Sequence, residues 1–180
     1  MFVVNSHTVF AAQFIGFVAM FVGWQACSAK STQCFLAKNM FAAGLTAVHL
    51  GLMGSPAGMA NQLLNVARFS SGQLRVSKRG YMPHILAIGF SLLALIQGIM
   101  WANHWSEWCA IASAVVMSFS IIFLHGNQLK ATFIVTNMLN LSLSIHLMSW
   151  SGMLYQVITI TLLVKAIVYQ PCETTVKASA

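Results

Sequence analysis

Acidic residues are almost absent from this chain of 180 residues, which has only two, Glu107 and Glu173, against nine lysines and arginines. Charged residues make up 6% of the sequence and hydrophobic residues 58%, and the mean hydropathy is +0.78. A soluble domain carries about 25% charged residues. So few charges do not cover a water-facing surface, and lipid is therefore the expected solvent for most of the protein.

The shortage of acids also excludes several functions. Glu107 is expected at the outer end of the fifth apolar segment and Glu173 in the C-terminal tail, so general acid–base catalysis and a carboxylate proton relay within the membrane are not expected. No Ser–His–Asp set, Gly-rich phosphate loop or pair of carboxylates can be assembled from the sequence. The basic residues flank apolar runs and form no stripe, which is atypical of a nucleic-acid binder. We expect neither an enzyme nor a nucleic-acid partner.

Cysteine is scarce and shows no pattern. Cys27, Cys34, Cys109 and Cys172 form no C-x-x-C pair and match no common zinc spacing. No disulfide framework, metal site or other cofactor is therefore expected. The first apolar run is followed by two lysines and preceded by none, which is the reverse of a signal peptide. We expect this run to be retained as a membrane span whose N-terminus lies outside.

Apolar segments follow one another along the whole chain. A membrane span needs about 20 residues, and every segment except the third reaches that length. The third segment is short, and it carries Asn61, Gln62, Asn65 and Arg68. The seven segments are approximately 8–28, 33–53, 57–70, 82–104, 106–125, 129–149 and 151–170.

The basic residues decide whether the third segment spans. With seven spans and an outside N-terminus, every lysine and arginine lies on the cytoplasmic side, as the positive-inside rule requires. Without the third span, Arg75, Lys78 and Arg79 would lie outside. The sequence therefore predicts an all-α membrane protein of seven transmembrane helices, with the C-terminal tail, 171–180, in the cytoplasm. The third segment is expected to be sheltered by other helices.

A weak internal repeat relates the two halves of this single transmembrane domain, 1–180. An Asn-Met pair, an apolar-His-Leu triplet and a Gly-Met-x-x-Gln motif recur in the same order. They begin at Asn39, Val48 and Gly58 in the first half, and at Asn137, Ile145 and Gly152 in the second. The order predicts two parallel three-helix repeats, 8–70 and 106–170, joined by a linker helix, 82–104, in a 3+1+3 arrangement.

This arrangement resembles that of the SWEET sugar transporters and the PnuC vitamin-precursor transporters. More closely, the stretch from Val48-His49-Leu50 through Gly54-Ser55-Pro56-Ala57-Gly58 to Leu64-Asn65-Val66-Ala67-Arg68 is similar to the YgjV-type family of bacterial inner-membrane proteins. The Ile145-His146-Leu147 segment with Trp150 and Gly152 is similar as well. The resemblance implies a fold and a multi-pass location in the bacterial inner (plasma) membrane, and no particular activity.

Polar side chains inside spans mark either a solute pathway or hydrogen bonds between helices, because lipid offers them no partner. Asn61, Asn65 and Arg68 share one helical face. The arginine either extends to the cytoplasmic interface or binds an anionic group at the cytoplasmic mouth. The predicted solute pathway comprises His49, Asn61, Gln62, Asn65, Arg68, Asn137, Asn140, His146, Tyr155, Gln156 and Thr159.

The first functional hypothesis is a facilitator-like transporter, whose neutral amide and hydroxyl lining suits a small polar, largely uncharged solute. The second is a non-transporting structural or accessory subunit of an inner-membrane complex, since small residues on two segments suit helix contacts. These residues are Gly16, Gly23, Gly89 and Gly98. The expected partners are the lipid bilayer, a small-molecule solute, and a second copy of the chain or another membrane protein.

The third hypothesis is a haem- or metal-binding membrane protein that uses the repeated histidines, His49 and His146. Imidazole binds haem or metal, contacts solutes, senses protons, or simply bonds to backbone carbonyls. No acidic or cysteine ligand lies nearby in the sequence to complete a metal site. The sequence leaves these roles open.

Overall fold

The computed structural model describes residues 6–53, 56–73, 81–102, 104–146 and 150–169, and all regular structure within these ranges is α-helical. The predicted all-α class is therefore confirmed. The predicted tail, 171–180, and the basic residues Arg75, Lys78 and Arg79 lie outside the described residues. The described helices are α1 (Ser6–Cys27), α2 (Thr32–Leu52), α3 (Pro56–Gln73), α4 (Met82–Trp101), α5 (Trp105–Phe123), α6 (Gly126–His146) and α7 (Trp150–Tyr169).

Local sequence explains where several helices begin. The Ser31 side chain accepts a hydrogen bond from the Cys34 backbone N–H and caps α2. Pro83 lies in the first turn of α4, where a backbone N–H is not needed. His104 and Glu107 form a reciprocal capping box at the start of α5. Each signal stops one helix from running into the next, so the apolar runs fold as separate helices.

Four helices are long and apolar enough to cross a membrane by length and composition. Their apolar stretches are Phe10–Cys27, Thr32–Leu52, Met82–Met100 and Trp105–Phe123. The seventh helix carries a shorter apolar stretch, Met153–Tyr169. Helices α3 and α6 are the most polar because amides and hydroxyls interrupt them. With 18 residues, α3 is about 27 Å long, which is close to the thickness of the hydrocarbon core.

The helices pack in an order that brings the polar ones inside. In the first half α2 packs against both α1 and α3, and in the second half α6 packs against both α5 and α7. The halves meet where α1 contacts α7 and where α3 contacts α5. Helix α4 packs against α5, and its outer face exposes large apolar side chains such as Ile85, Ile96 and Ile99. That face suits contact with lipid acyl chains.

One apolar cluster closes a single end of the bundle. It lies where α1, α3, α5 and α7 finish and where α2 and α6 begin. At its centre the rings of Phe35 and Phe133 meet edge to face, with centroids 4.7 Å apart. The cluster comprises Ala26, Cys27, Ala29, Phe35, Leu36, Ala43, Phe69, Ile121, Leu129, Phe133 and Leu163. This end of the bundle is packed like the interior of a soluble protein.

Close packing of α4 on α5 depends on Gly98. A Cβ added there would overlap the side chain of Ile111, whereas a Cβ at Gly89, on the same helix, meets no atom within 4 Å. We expect Gly98→Leu to destabilise the protein by about 1–3 kcal/mol through overpacking. Thermal unfolding in detergent measures the effect, and Gly89→Leu is the matched control. Equal melting temperatures for the two variants would contradict the packing described here.

Candidate functional site

Two cavities, of about 490 and about 570 Å³, lie inside the bundle. The first lies among α3, α4, α5 and α6, and the second is formed mainly by α1, α2, α6 and α7. Both volumes fall in the range typical of small-molecule sites. The cavities adjoin at six shared side chains, namely Gln62, Asn65, Phe69, Met117, Asn140 and Gln156.

The structure brings most of the predicted pathway residues together. Asn61 and Arg68 border the first cavity, and Gln62, Asn65, Asn140 and Gln156 border both. The second cavity adds His49, Asn137, Tyr155 and Thr159. Of the eleven predicted residues, His146 alone borders neither cavity. Whether these side chains bind a solute stays a prediction.

A chain of hydrogen bonds follows the polar face of α3. Arg68 Nη1 donates to Asn65 Oδ1 at 2.7 Å, and Asn65 Nδ2 donates to Gln62 Oε1 at 3.2 Å. Arg68 Nη2 donates to the carbonyl oxygen of Phe90, on α4, at 3.3 Å. The arginine is 1% exposed, so it does not extend to the membrane surface. The same three side chains thus tie α3 to α4 and present polar atoms beside the cavities.

A second polar network joins α5 to α6. Asn140 Nδ2 donates to Ser113 Oγ at 3.1 Å, and Ser113 Oγ donates to the carbonyl oxygen of Thr136 at 3.2 Å. Nearby, Asn137 Nδ2 donates to the carbonyl oxygen of Phe133 at 2.6 Å. These bonds use amide donors of α6 and leave part of its acceptor capacity for an occupant of the cavities.

Two side chains that border the cavities carry buried polar atoms without a hydrogen-bond partner among the described residues. These atoms are Arg68 Nε and Gln156 Oε1. A third such atom, Trp24 Nε1, belongs to a ring that stacks on Tyr155 with centroids 6.2 Å apart. Buried polar groups are normally paired, because leaving one unpaired costs about 1–3 kcal/mol. Arg68 and Gln156 thus keep unused hydrogen-bonding capacity on side chains that border the cavities.

The two repeated histidines occupy different surroundings. His49 Nδ1 lies 2.7 Å from the carbonyl oxygen of Ala12 and so donates to it, since a carbonyl only accepts. His146 is exposed, and its ring stacks on His104 at 3.5 Å between centroids and 6° between planes. Among the described residues, no three His, Cys, Asp or Glu side chains come together in a way that could hold a metal ion.

The spacing within each repeat explains this difference. His49 comes ten residues after Asn39, whereas His146 comes nine residues after Asn137. One residue turns a helical side chain by about 100°. The asparagine positions correspond in the two halves, and the histidine positions therefore do not. The order of the motifs is the same in both halves and does not reveal that the histidines lie on different faces of their helices.

Comparison with known proteins places the chain in a family. The model of the Imp-YgjV family, described as bacterial inner membrane protein, matches residues 10–170. The chain belongs to the Imp-YgjV family. No curated protein and no solved structure matches it. The resemblance predicted from the sequence is therefore confirmed, and with it the location in the bacterial inner membrane.

Sequence reasoning missed several cavity residues of this Imp-YgjV chain. Gln97, on the helix interpreted as a linker, borders the first cavity, and Gln13, on α1, borders the second. Each is an isolated amide in an apolar run, a signal that could have identified both. Glu107 also borders the first cavity, whereas the sequence predicts it on the outer side. The fourth helix, predicted as a linker, therefore contributes to the walls of the first cavity.

A labelling experiment tests whether the first cavity holds water. In a variant whose native cysteines are replaced by alanine, we expect Gln97→Cys to react with a membrane-impermeant maleimide. The neighbouring Ile96→Cys is the control, because Ile96 is 53% exposed on the lipid-facing surface of α4 and lines neither cavity. Thiolate forms readily in water and hardly at all in lipid. Labelling of both positions to the same extent would contradict a hydrated cavity.

Proposed function

We propose that this Imp-YgjV protein is a facilitator-like transporter for a small polar, largely uncharged solute. The observation that carries the proposal is the position of Gln62 and Gln156. They occupy the same place in the two copies of the Gly-Met-x-x-Gln motif, and both border both cavities. A repeated polar pair at the junction of two cavities is what a pathway between parallel repeats requires.

The packing of the helices supports the 3+1+3 arrangement. In this arrangement α1 corresponds to α5, and α3 corresponds to α7. The contact between α1 and α7 should then have a counterpart between α5 and α3, and both contacts occur. Phe35 and Phe133 are related by the same 98-residue offset as Asn39 and Asn137, and their rings touch. In each half the asparagine Nδ2 donates to the carbonyl oxygen of the phenylalanine. Contact between equivalent residues is expected close to a twofold axis.

The chemistry of the cavity walls supports the solute class. Their polar side chains are mostly neutral amides and hydroxyls, including Gln62, Asn140, Gln156 and Thr159. Such groups replace the hydrogen bonds that a hydroxylated or amide-bearing solute loses on leaving water, and they do not hold it by net charge. Weak, exchangeable contacts of this kind suit a facilitator, which must release what it binds.

The apolar cluster suggests which state of the transport cycle the structure represents. In the proposed orientation, with the N-terminus outside, the ends of the odd-numbered helices face the cytoplasm. The cluster then closes the bundle on the cytoplasmic side, while the first cavity extends toward Ala102 and Glu107 at the opposite end. Release into the cytoplasm would require Phe35 and Phe133 to separate, which is a movement of one repeat against the other.

The accessory-subunit hypothesis receives less support from the structure. Three of the four glycines proposed for contacts with a partner pack within the chain instead. A Cβ would lie 3.1 Å from His49 Nδ1 at Gly16 and 2.8 Å from the Tyr155 hydroxyl at Gly23, and at Gly98 it would overlap Ile111. The haem hypothesis is likewise weakened. His49 bonds to the carbonyl oxygen of Ala12, whereas the His146 ring stacks on His104, so the structure does not bring the two imidazoles to one site.

Solute flux into proteoliposomes tests the proposal. We expect wild-type protein to accelerate equilibration of at least one member of a panel of polyols, sugars, nucleosides, small amides, small monocarboxylates and phosphate monoesters. Gln62→Ala and Gln156→Ala should each lower that flux by about tenfold or more, because each removes a side chain shared by both cavities. The amount of folded protein, measured by gel filtration, should not change.

The matched control is Thr161→Ala. Thr161 lies on α7 with Gln156, but it is exposed and its hydroxyl bonds to its own helix at the carbonyl oxygen of Val157. Its replacement should leave the flux unchanged. An absence of flux for every member of the panel would count against transport, and equal losses in all three variants would count against this pathway.

Reporter fusions test the proposed orientation. We expect green fluorescent protein at the C-terminus to fluoresce, since it folds in the cytoplasm. Alkaline phosphatase fused after residue 53, in the turn between α2 and α3, should be active, since it requires the oxidising outer side. An inactive phosphatase together with a dark C-terminal fusion would show that the bundle is inserted the other way round.

A further inference from the structure

Arg68 is a buried charge in the membrane-spanning bundle. It lies in α3 directly before Phe69, a member of the apolar cluster, and so at the base of the first cavity. An arginine near the end of a membrane helix ordinarily extends its charge to the headgroups. Arg68 is instead 1% exposed, with its guanidinium carbon 6.0 Å from the centre of the Phe90 ring of α4. Its charge is therefore held inside the protein.

The hydrogen bonds of Arg68 leave much of its capacity unused. A guanidinium carries five N–H donors in a fixed plane. In the described part of the chain its acceptors are Asn65 Oδ1 and the carbonyl oxygen of Phe90, and its Nε has no partner. Both acceptors are neutral. They orient the guanidinium without balancing its charge.

Glu107, the acidic residue in the described part of the chain, does not balance the positive charge of Arg68. A Cβ on Gly72 of α3 would overlap the side chain of Ile121 of α5. Arg68 and Met117 each lie four residues before one member of this contacting pair, and both border the first cavity. Glu107 is ten residues before Met117, about 15 Å along the helix axis. One of its oxygens accepts from the His104 backbone N–H at 2.9 Å in the capping box. The other acid, Glu173, lies outside the described residues.

We infer that the solute of the proposed transporter carries one anionic group, a carboxylate or a phosphate, which binds Arg68 at the base of the first cavity. The inference rests on the proposed function and refines its solute class. A buried charge without a counter-charge is strongly unfavourable, and an arginine offers a carboxylate or phosphate two parallel hydrogen bonds. The rest of the solute, uncharged, then lies against the amides of Asn61, Gln62 and Gln97.

A competing explanation is that Arg68 serves only as a structural tie between α3 and α4 through the Phe90 carbonyl. The two explanations differ in one respect. A tie affects stability alone, whereas an anion site also makes the protein distinguish an anion from a neutral molecule of the same shape.

Matched pairs of probes separate these explanations. We would measure the apparent melting temperature of purified wild-type protein, in neutral detergent without anionic lipid, against increasing concentrations of lactate or lactamide, nicotinate or nicotinamide, and glycerol 3-phosphate or glycerol. A ligand that binds the folded state raises this temperature by mass action. We expect the anion of at least one pair to bind about tenfold or more tightly than its neutral partner, as expected for a charge-assisted hydrogen bond.

Variants assign the preference to Arg68. R68Q should abolish the difference between the two members of the pair, and R68K should retain part of it, since lysine keeps the charge without the planar fork. Lys165→Gln is the matched control, because Lys165 is an exposed cation on α7 that borders neither cavity. This variant should keep the full preference. If R68Q does not fold, the wild-type preference and its reduction in R68K decide the matter.

Each outcome bears on a different claim. Binding of the neutral member as tightly as the anion, or a preference unchanged in R68Q, would overturn the anion site and leave the transporter proposal standing. Stabilisation by added phosphatidylglycerol, with no response to any soluble anion, would overturn the inference in favour of a lipid headgroup. No response to any probe, together with no flux in proteoliposomes, would overturn the proposed function itself.

Discussion

Lipid offers no hydrogen-bond partner to the amides and hydroxyls of α3 and α6, and the arrangement of the bundle answers that constraint. The more apolar helices present their exposed side chains to the bilayer, while Asn65, Arg68 and Asn137 turn inward and bond to each other, to neighbouring helices or to backbone carbonyls. These hydrogen bonds do not use all of the polar side chains inside the bundle. The remaining polar groups line the two adjoining cavities. The inward-facing polar residues that the fold requires therefore also form the candidate site.

Packing and chemistry are divided between the two ends of the bundle. Aromatic and small apolar side chains close one end, and the polar side chains begin within one residue of it, at Arg68 and Phe69. An electrostatic interaction is stronger at such a boundary than in water, because the apolar neighbours exclude solvent from one side. A single guanidinium placed there has more influence on what enters the cavity than the same group at the membrane surface.

Much of the fold could be predicted from the sequence, because hydropathy and the placement of lysine and arginine respond directly to the bilayer. The short third segment is an 18-residue helix, and the basic residues that follow it are the signal that predicts it. The face shared by Asn61, Asn65 and Arg68 was predictable because the helical period is fixed. The role of Gln97 was not, because the position of α4 against α5 depends on the contact of Gly98 with Ile111, which no periodicity reveals.

The interval from Asn137 to His146 is one residue shorter than the interval from Asn39 to His49, and this difference has a consequence for the two cavities. Among the described residues, only the first half places an imidazole on a cavity wall, and that wall belongs to the second cavity. The guanidinium borders the other cavity. In the proposed transporter, a solute that moved between the cavities would leave the guanidinium of one and meet the imidazole of the other, so the two steps would be chemically distinct. The one-residue difference between the repeats thus makes the two cavities chemically unequal.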